Sequence, residues 1–566
     1  MRKIFVFSAV ITALIFSSCS KDMGALDPSY FSTNPNPLEV KGGVVNATVT
    51  GKFPVKYFNK NAVVTVTPVL KYAGGEVKGT PSVFQGEKVK ANNKHIVYKV
   101  GGTYSLPVSF KYIPAMAVSE LYLEFDVVQK KKTYTIPSVK VADGVIATPL
   151  LVSTDASQTA PAIIPDAFQK IIQEKQEADI LFLINAADLR NSETKKGAIT
   201  DLTKKIAEVK NQANLQVNKL EIAGYASPDG PIDNNEKLAT KRESVTKNFL
   251  NKEIKKLKQS ITIDSKFTAE DWDGFQQLLE KSDIQDKQQI LRVLALYSDP
   301  EQREREIRNV AVAYQSIAES ILPQLRRSRL NLILDIIGKS DTEIAQAAAE
   351  NPSSLTVEEL LYAATLTQSL SEKTTIYKTV AQIFPNDARG YNNLGVVNYT
   401  VGKYDEAQQA FAKAAAISSQ QPDINYNLGL VSLTQGKLDD ATQYFGKAAG
   451  TTGNLSKALG TLYVIEGDYN KAKTSLGQDV SNNAALLQIL NKDYSAARAT
   501  LNAVTAPDAT TAYLQAVIGA RTNDRDAVYN NLKEALKLNP TVAKKALTDV
   551  EFAKFFTDST FTSILK

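Results

Sequence analysis

Between residues 27 and 150 apolar and polar positions alternate with a period of two. Val45, Ala47 and Val49 form one such series and Leu121, Leu123, Phe125 and Val127 another. Strand-like runs recur at Ala62–Tyr72, His95–Val100, Ser105–Tyr112 and Thr133–Val141, broken by Gly74-Gly75 and Asn92-Asn93. Short strands separated by turn residues predict an antiparallel β-sandwich over 27–150. Residues 151–165 are small and polar and read as a linker. Beyond them the period changes. Ile180–Ile184 is continuously apolar and suits a buried strand. Ile199, Leu202, Ile206 and Val209 fall at helical spacing within a helix over 193–213. A strand at Leu220–Ala223, a helix at Asn235–Leu250 and a strand at Ser260–Asp264 give the order β-α-β-α-β. A helical excursion over about 269–324, with Thr268 as its cap, precedes a last strand at Arg329–Ile336. This body, 166–340, is an α+β domain.

The third body, 355–545, repeats itself. Leu394, Gly395, Gly402, Ala407, Phe411 and Ala414 recur as Leu428, Gly429, Gly436, Ala441, Phe445 and Ala448, each 34 residues on. Gly460, Tyr463, Gly467, Tyr469 and Ala472 make a third copy, three residues short. Tyr494, Ala497 and Leu501 mark a fourth, and Leu532, Ala535 and Pro540 a fifth. A degenerate unit ending at Pro385 precedes them, and 546–566 reads as a C-terminal cap. Repeats of this kind bury a continuous core only when several stack, giving an all-α solenoid. The fold class is therefore multidomain: β-sandwich, α+β domain, helical solenoid.

Composition narrows the chemistry. Hydrophobic residues make up 43% and charged residues 22% of 566, as in ordinary globular proteins. A net charge of +6 over this length is too weak to imply nucleic acid. The one cysteine rules out an intramolecular disulfide. The one histidine, His95, rules out a multi-histidine metal site and heads a strand, a structural or solvent-facing place. Glu270, Asp271 and Asp273 lack the spaced oxygens of a calcium loop and suit a helix N-terminus. Arg303–Arg308 reads as a solvated face of mixed charge. No nucleophile–base pair, metal set or phosphate loop is present in the pattern, so the expectation is a non-enzyme without cofactor or metal.

Three resemblances add to this. Arg2 and Lys3, the apolar run Ile4–Phe16, and Phe16-Ser17-Ser18-Cys19 resemble the signal and processing box of a bacterial lipoprotein. The resemblance implies a signal peptide over 1–18, acylation of Cys19 and a lipidated tether over 19–26. Ser20 resembles an outer-membrane sorting residue, and Lys21-Asp22 resembles the export tag of Bacteroidota lipoproteins, with periplasmic or surface orientation left open.

Gly224, Gly230, Asn235, Leu238 and Arg242 fall at the steps of the signature of OmpA-like, peptidoglycan-associating domains. That resemblance implies a pocket for a diaminopimelate branch, with Arg242 on its carboxylate. Ser227 occupies the aspartate place, Asp229 lies two residues on, Asn235 belongs to the signature, and Arg329 is a further candidate.

The 34-residue period resembles the tetratricopeptide repeat. Asn393 and Asn427 hold equivalent places that face the groove in similar peptide-binding repeats, where side-chain amides hold an extended backbone. The alternative is that they cap or link helices locally.

Together these imply a lipid-anchored outer-membrane scaffold that ties membrane to peptidoglycan and recruits envelope proteins through its repeats. The alternatives are a surface adhesin or glycan-binding lipoprotein, and an accessory factor of outer-membrane assembly or secretion.

Overall fold

The computed structural model describes residues 22–566. Cys19, the signal segment 1–18 and the first residues of the tether lie outside the described residues. The chain divides into two compact units, one of residues up to Pro165 together with Gln368–Lys566, the other Asp166–Thr367. No helix among the described residues is long and apolar enough to cross a membrane.

The first unit opens with eleven strands: β1 Phe31–Asn34, β2 Leu38–Lys41, β3 Val44–Phe53, β4 Ala62–Tyr72, β5 Gly75–Lys78, β6 Ser82–Gly86, β7 Lys94–Ile96, β8 Gly102–Lys111, β9 Ser119–Gln129, β10 Lys132–Asp143 and β11 Val145–Ile146. One sheet runs β1-β3-β2-β11, with β8 on the other edge of β3. The second runs β10-β9-β4-β6-β7, with β5 also on β4. Alternation drives both: along β3 and β8 every second side chain is buried. Val45, Val49, Leu106 and Phe110 of one sheet meet Val64, Leu121 and Phe125 of the other in a single core. The region is β-rich as expected, but two pairs, β11 with β2 and β7 with β6, are parallel. Both are two- or three-residue edge pairs whose strands are not joined by a tight hairpin, so no hairpin dictates their direction. His95 on β7 is exposed, its ring nitrogen 2.9 Å from Gln85 Nε2.

The same unit resumes with a helix, Leu370–Ile383, and five helix pairs. These are Ala388–Thr400 with Tyr404–Ile417, Pro422–Thr434 with Leu438–Gly446, Leu455–Glu466 with Tyr469–Leu476, Asn482–Leu490 with Tyr494–Ala503, and Ala509–Arg521 with Arg525–Leu538. Short helices at Val542–Ala546 and Ser559–Ile564 close the array, with Phe552 and Phe561 fully buried. Glycines let paired helices touch: a Cβ on Gly395 would stand 2.5 Å from the Phe411 ring, and one on Gly429 2.4 Å from Phe445. The β-rich part packs on the repeats through the β2–β3 turn, where Gly42 lies against the Glu466 carbonyl. Lys41 Nζ also lies 4.8 Å over the Tyr469 ring. The expected start of the solenoid at 355 moves, because helices Asp341–Glu350 and Val357–Ala363 belong to the other unit.

The second unit holds a four-stranded sheet of β12 Ile171–Leu181, β13 Leu215–Tyr225, β14 Ile263–Thr268 and β15 Arg327–Ile337, in the order β12-β15-β13-β14. β13 and β14 run parallel and the other pairs antiparallel. Helices Gly197–Val209 and Ile232–Lys256 share one apolar core with the strands through Ile199, Leu202, Ile206 and Leu250. Thr268 is the last residue of β14 and does not cap the helical excursion that follows. The cap is Asp271, whose carboxylate accepts from Gly274 N–H at 2.8 Å. The excursion Trp272–Leu325 builds its own small core around Phe275, Leu279, Ile290 and Ile317.

Candidate functional site

The segment expected to be a linker is an ordered strap. From Ser153 to Ile164 its backbone lies along the first helices of the repeat pairs and is held there by side-chain amides. Asn393 accepts from Ile164 N–H at 3.0 Å and donates to Ile164 O at 2.9 Å. Asn427 does the same to Ala162, both bonds 2.7 Å. Asn483 does so to Ser153, at 2.9 and 2.7 Å. Each amide presents one acceptor and one donor, which matches the N–H and C=O of one residue of an extended chain. Asn392 donates to Ala162 O at 3.1 Å and accepts from Asn427, locking the amide orientations. Tyr426 donates to Ala160 O at 3.0 Å and Tyr399 to Thr154 O at 2.5 Å.

The strap is part of the core. Thr159 and Ala162 are buried, and Ala156 and Ile164 pack against the cluster around Phe411 and Tyr426. Between Ser153 and Thr159 the strap turns on Asp155. Burial pushes that carboxyl up, but hydrogen bonds from Ser153 and Ser157 outweigh it and hold the group below the usual carboxylate range.

In the second unit the signature residues are satisfied by the chain itself. Arg242 is 1% exposed. Its guanidinium donates to the carbonyls of Ala186, Tyr225 and Leu183 at 3.0, 2.9 and 3.3 Å and lies 5.4 Å over the Phe182 ring. Burial, with Arg326 nearby, lowers its pKa to about 10. Ser227 is buried and donates to Asp229, and Arg326 closes the ring, 3.2 Å from Ser227 Oγ and from Asp229 Oδ2. Asn235 donates to Gly230 O and to Glu270, while Gly230 N–H donates to Glu304 at 2.8 Å. Arg329 does not join Arg242. It makes a bidentate pair with Asp179, both bonds 3.0 Å. Arg326, three residues earlier, takes the place expected of it beside Ser227 and Asp229. The acidic residues of the excursion serve structure: Asp271 pairs with buried Arg327 at 2.6 Å, and Glu270 accepts from Trp272 Nε1 at 2.9 Å.

A family model for the tetratricopeptide repeat matches residues 388–421, the first full helix pair and the turn that follows. The chain carries tetratricopeptide repeats. No curated protein matches it. Among solved structures, a tetratricopeptide repeat protein from Parabacteroides merdae is 16% identical, with 37% of this chain and 89% of that one covered and a TM-score of 0.30. Pseudomonas aeruginosa pilF is 19% identical, with 38% and 98% covered and a TM-score of 0.28. Yeast Tom70 is 12% identical, with 66% and 78% covered and a TM-score of 0.26.

Within the tetratricopeptide array, Asn483 is the clamp that a fixed 34-residue step misses. The signal that finds it is the turn. Each first helix is followed by a residue in the left-handed region: Gly402, Gly436, Gly467, Lys492 and Asn523. Asn393, Asn427 and Asn483 each stand nine residues before their turn residue; the equivalents in the other two repeats are Ala458 and Leu514.

Proposed function

We propose that the chain is a lipid-anchored scaffold of the bacterial cell envelope, in which the β-rich domain and the tetratricopeptide repeats act as one body that presents protein partners. The observation that carries this reading is the strap. Three asparagine clamps bind the connecting segment along the repeats and its Ala162 is part of their core, so the link between the two parts is ordered rather than flexible. Recruitment of partners then falls to repeat faces that the strap leaves uncovered. Anchoring rests on acylation of Cys19, for which the processing-box resemblance is the support. Cells fed a labelled fatty acid should incorporate it into the wild-type chain and not into Cys19→Ala, which should leave the membrane fraction. A wild-type chain that takes up no label ends the anchor reading.

A second reading, a tether to peptidoglycan, is favoured by the sheet order β12-β15-β13-β14 together with Gly224, Gly230, Asn235, Leu238 and Arg242 at signature spacing, both of which support an OmpA-like domain. Against an open ligand pocket stand the burial of Arg242 and the carboxylates of Glu270 and Glu304 on Asn235 and Gly230. Sedimentation with purified sacculi separates the two. A wild-type chain that pellets, and an Arg242→Lys chain that does not, would establish the tether. A wild-type chain that stays in solution leaves an OmpA-like domain kept for protein contacts.

A further inference from the structure

We infer that one end of the β-rich domain is an interfacial surface that lies on the anionic phospholipid headgroups of the membrane. The nearness of that membrane rests on the Cys19 anchor proposed above; the surface itself is a feature of the folded domain.

The end in question is where β4 begins and β9 meets β10. Ala62 pairs with Gln129 and Gln129 with Lys132. The loop after β3 and the turn before β8 reach the same end, since Phe53 pairs with Gly102 and Lys56 N–H donates to Tyr98 O at 2.7 Å. The β6–β7 loop joins them through Lys88 N–H on Lys60 O at 2.9 Å.

These loops bring together Lys130, Lys131 and Lys132 on one turn and Lys56, Lys88 and Lys99 beside it, all exposed. The carboxylates here are already engaged: Asp22 on Lys132, Glu87 on Lys60, and Asp27 on Ser29 N–H. Among the lysines project three apolar side chains exposed among the described residues, Val55, Val97 and Val100, the last 70% exposed. Basic residues ringing exposed apolar ones suit a headgroup layer, where each lysine gains attraction and the apolar groups leave water.

The N-terminal segment docks on this same end. Met23 and Leu26 are buried, Met23 N–H donates to Tyr134 Oη at 3.0 Å, and Tyr57 donates to Gly24 O at 2.5 Å. Met23 stands four residues after Cys19. A chain of that length spans at most about 14 Å. An acylated Cys19 would therefore hold this surface within reach of the headgroups. The repeats pack at the opposite end, on the β2–β3 turn.

The test uses the full chain carrying Cys19→Ser, which cannot be acylated, and vesicles of phosphatidylcholine alone or with 30% phosphatidylglycerol. Co-sedimentation should be at least ten-fold stronger on the anionic vesicles and fall steeply in high salt. Lys130→Glu with Lys131→Glu should lower it at least ten-fold, at roughly five-fold per lysine. Lys111→Glu, at the opposite end, should not. Equal binding to both vesicles, or binding unmoved by the double variant, overturns the proposal. Because no acyl chain is present, that failure is distinct from failure of Cys19 labelling. Circular dichroism of both variants shows that any loss is not unfolding.

Discussion

At the scale of single residues, Asn427 shows what the strap costs and returns. Its amide is fully buried, and both of its bonds to Ala162 are made in place of water. Asn427→Ala leaves Ala162 N–H without a partner, while Asn392 still serves the carbonyl. An orphaned buried donor costs about 1–3 kcal/mol, far above the few tenths expected of an exposed polar change. Denaturant unfolding of the variant measures this; a loss below 0.5 kcal/mol, roughly the surface-substitution range, would mean the clamp is solvated. Asp155 makes the second residue-scale case. Its carboxyl is held low in the folded chain, so its contribution is complete above the ordinary Asp pKa of about 3.9 and is lost as the pH falls through the lower folded-state value. Asp155→Asn should therefore destabilise at pH 7, and the gap to wild type should close in acid. A gap that stays constant down to pH 3 would assign the effect to packing instead. The sequence exposed neither role, because a strap held by backbone bonds leaves no apolar periodicity. Ser153–Pro161 is small and polar, the same composition a loose linker would have.

Among whole elements, the helix pairs were legible for a physical reason. Close approach admits only glycine or alanine at one place, and an aromatic ring fills the facing one, so the pattern recurs wherever the geometry does. Gly395 and Phe411 are the test pair. Gly395→Ala drives a Cβ to 2.5 Å from the ring, and such overpacking costs about 1–3 kcal/mol. Adding Phe411→Leu to that variant should recover part of the loss, since the smaller side chain yields the space. Thermal melts of the two variants decide it, and a double variant with the summed losses would mean the pair does not touch. The repeats that shorten hid their equivalences. Lys492 stands where Gly402 and Gly436 stand, at a φ of 64°, and only the turn reveals the phase of Asn483. In the second unit the arginine was located but not its surroundings. Helical spacing places Arg242 on a buried face, whereas the carbonyls that receive it come from Leu183 and Ala186, beyond the end of β12, and from Tyr225, the last residue of β13. The pairing of Arg326 was hidden for a similar reason: its partners, Ser227 and Asp229, are 99 and 97 residues away in sequence.

For the molecule as a whole, the first unit is discontinuous in sequence: residues up to 165 fold with residues from 368 onward. Two kinds of contact join its parts. One is direct, between the β2–β3 turn and the third repeat and between Thr148 and Glu551, which also pairs with Arg521. The other is the strap, whose clamps reach from Asn393 to Asn483. Elements that share buried contacts open together, while elements joined by a flexible link open separately. The β-rich sheets and the repeat helices should therefore exchange their most protected amides with the same free energy and the same denaturant dependence. Val49 on β3 and Leu430 on helix Pro422–Thr434, both fully buried, are suitable reporters. In a chain carrying Asn393→Ala, Asn427→Ala and Asn483→Ala the two should part. The repeat helices should lose protection first, because they lose the strap that fills their concave face, while the sheets keep their own core around Leu106 and Phe125. Native-state hydrogen exchange across a denaturant series follows both reporters in one experiment. If they already differ in the wild-type chain by more than about 2 kcal/mol, a large fraction of an ordinary domain's stability, the strap is a passenger on the groove and the one-body scaffold fails with it. If they coincide in wild type and separate in the triple variant, the segment between the domains is what makes them one.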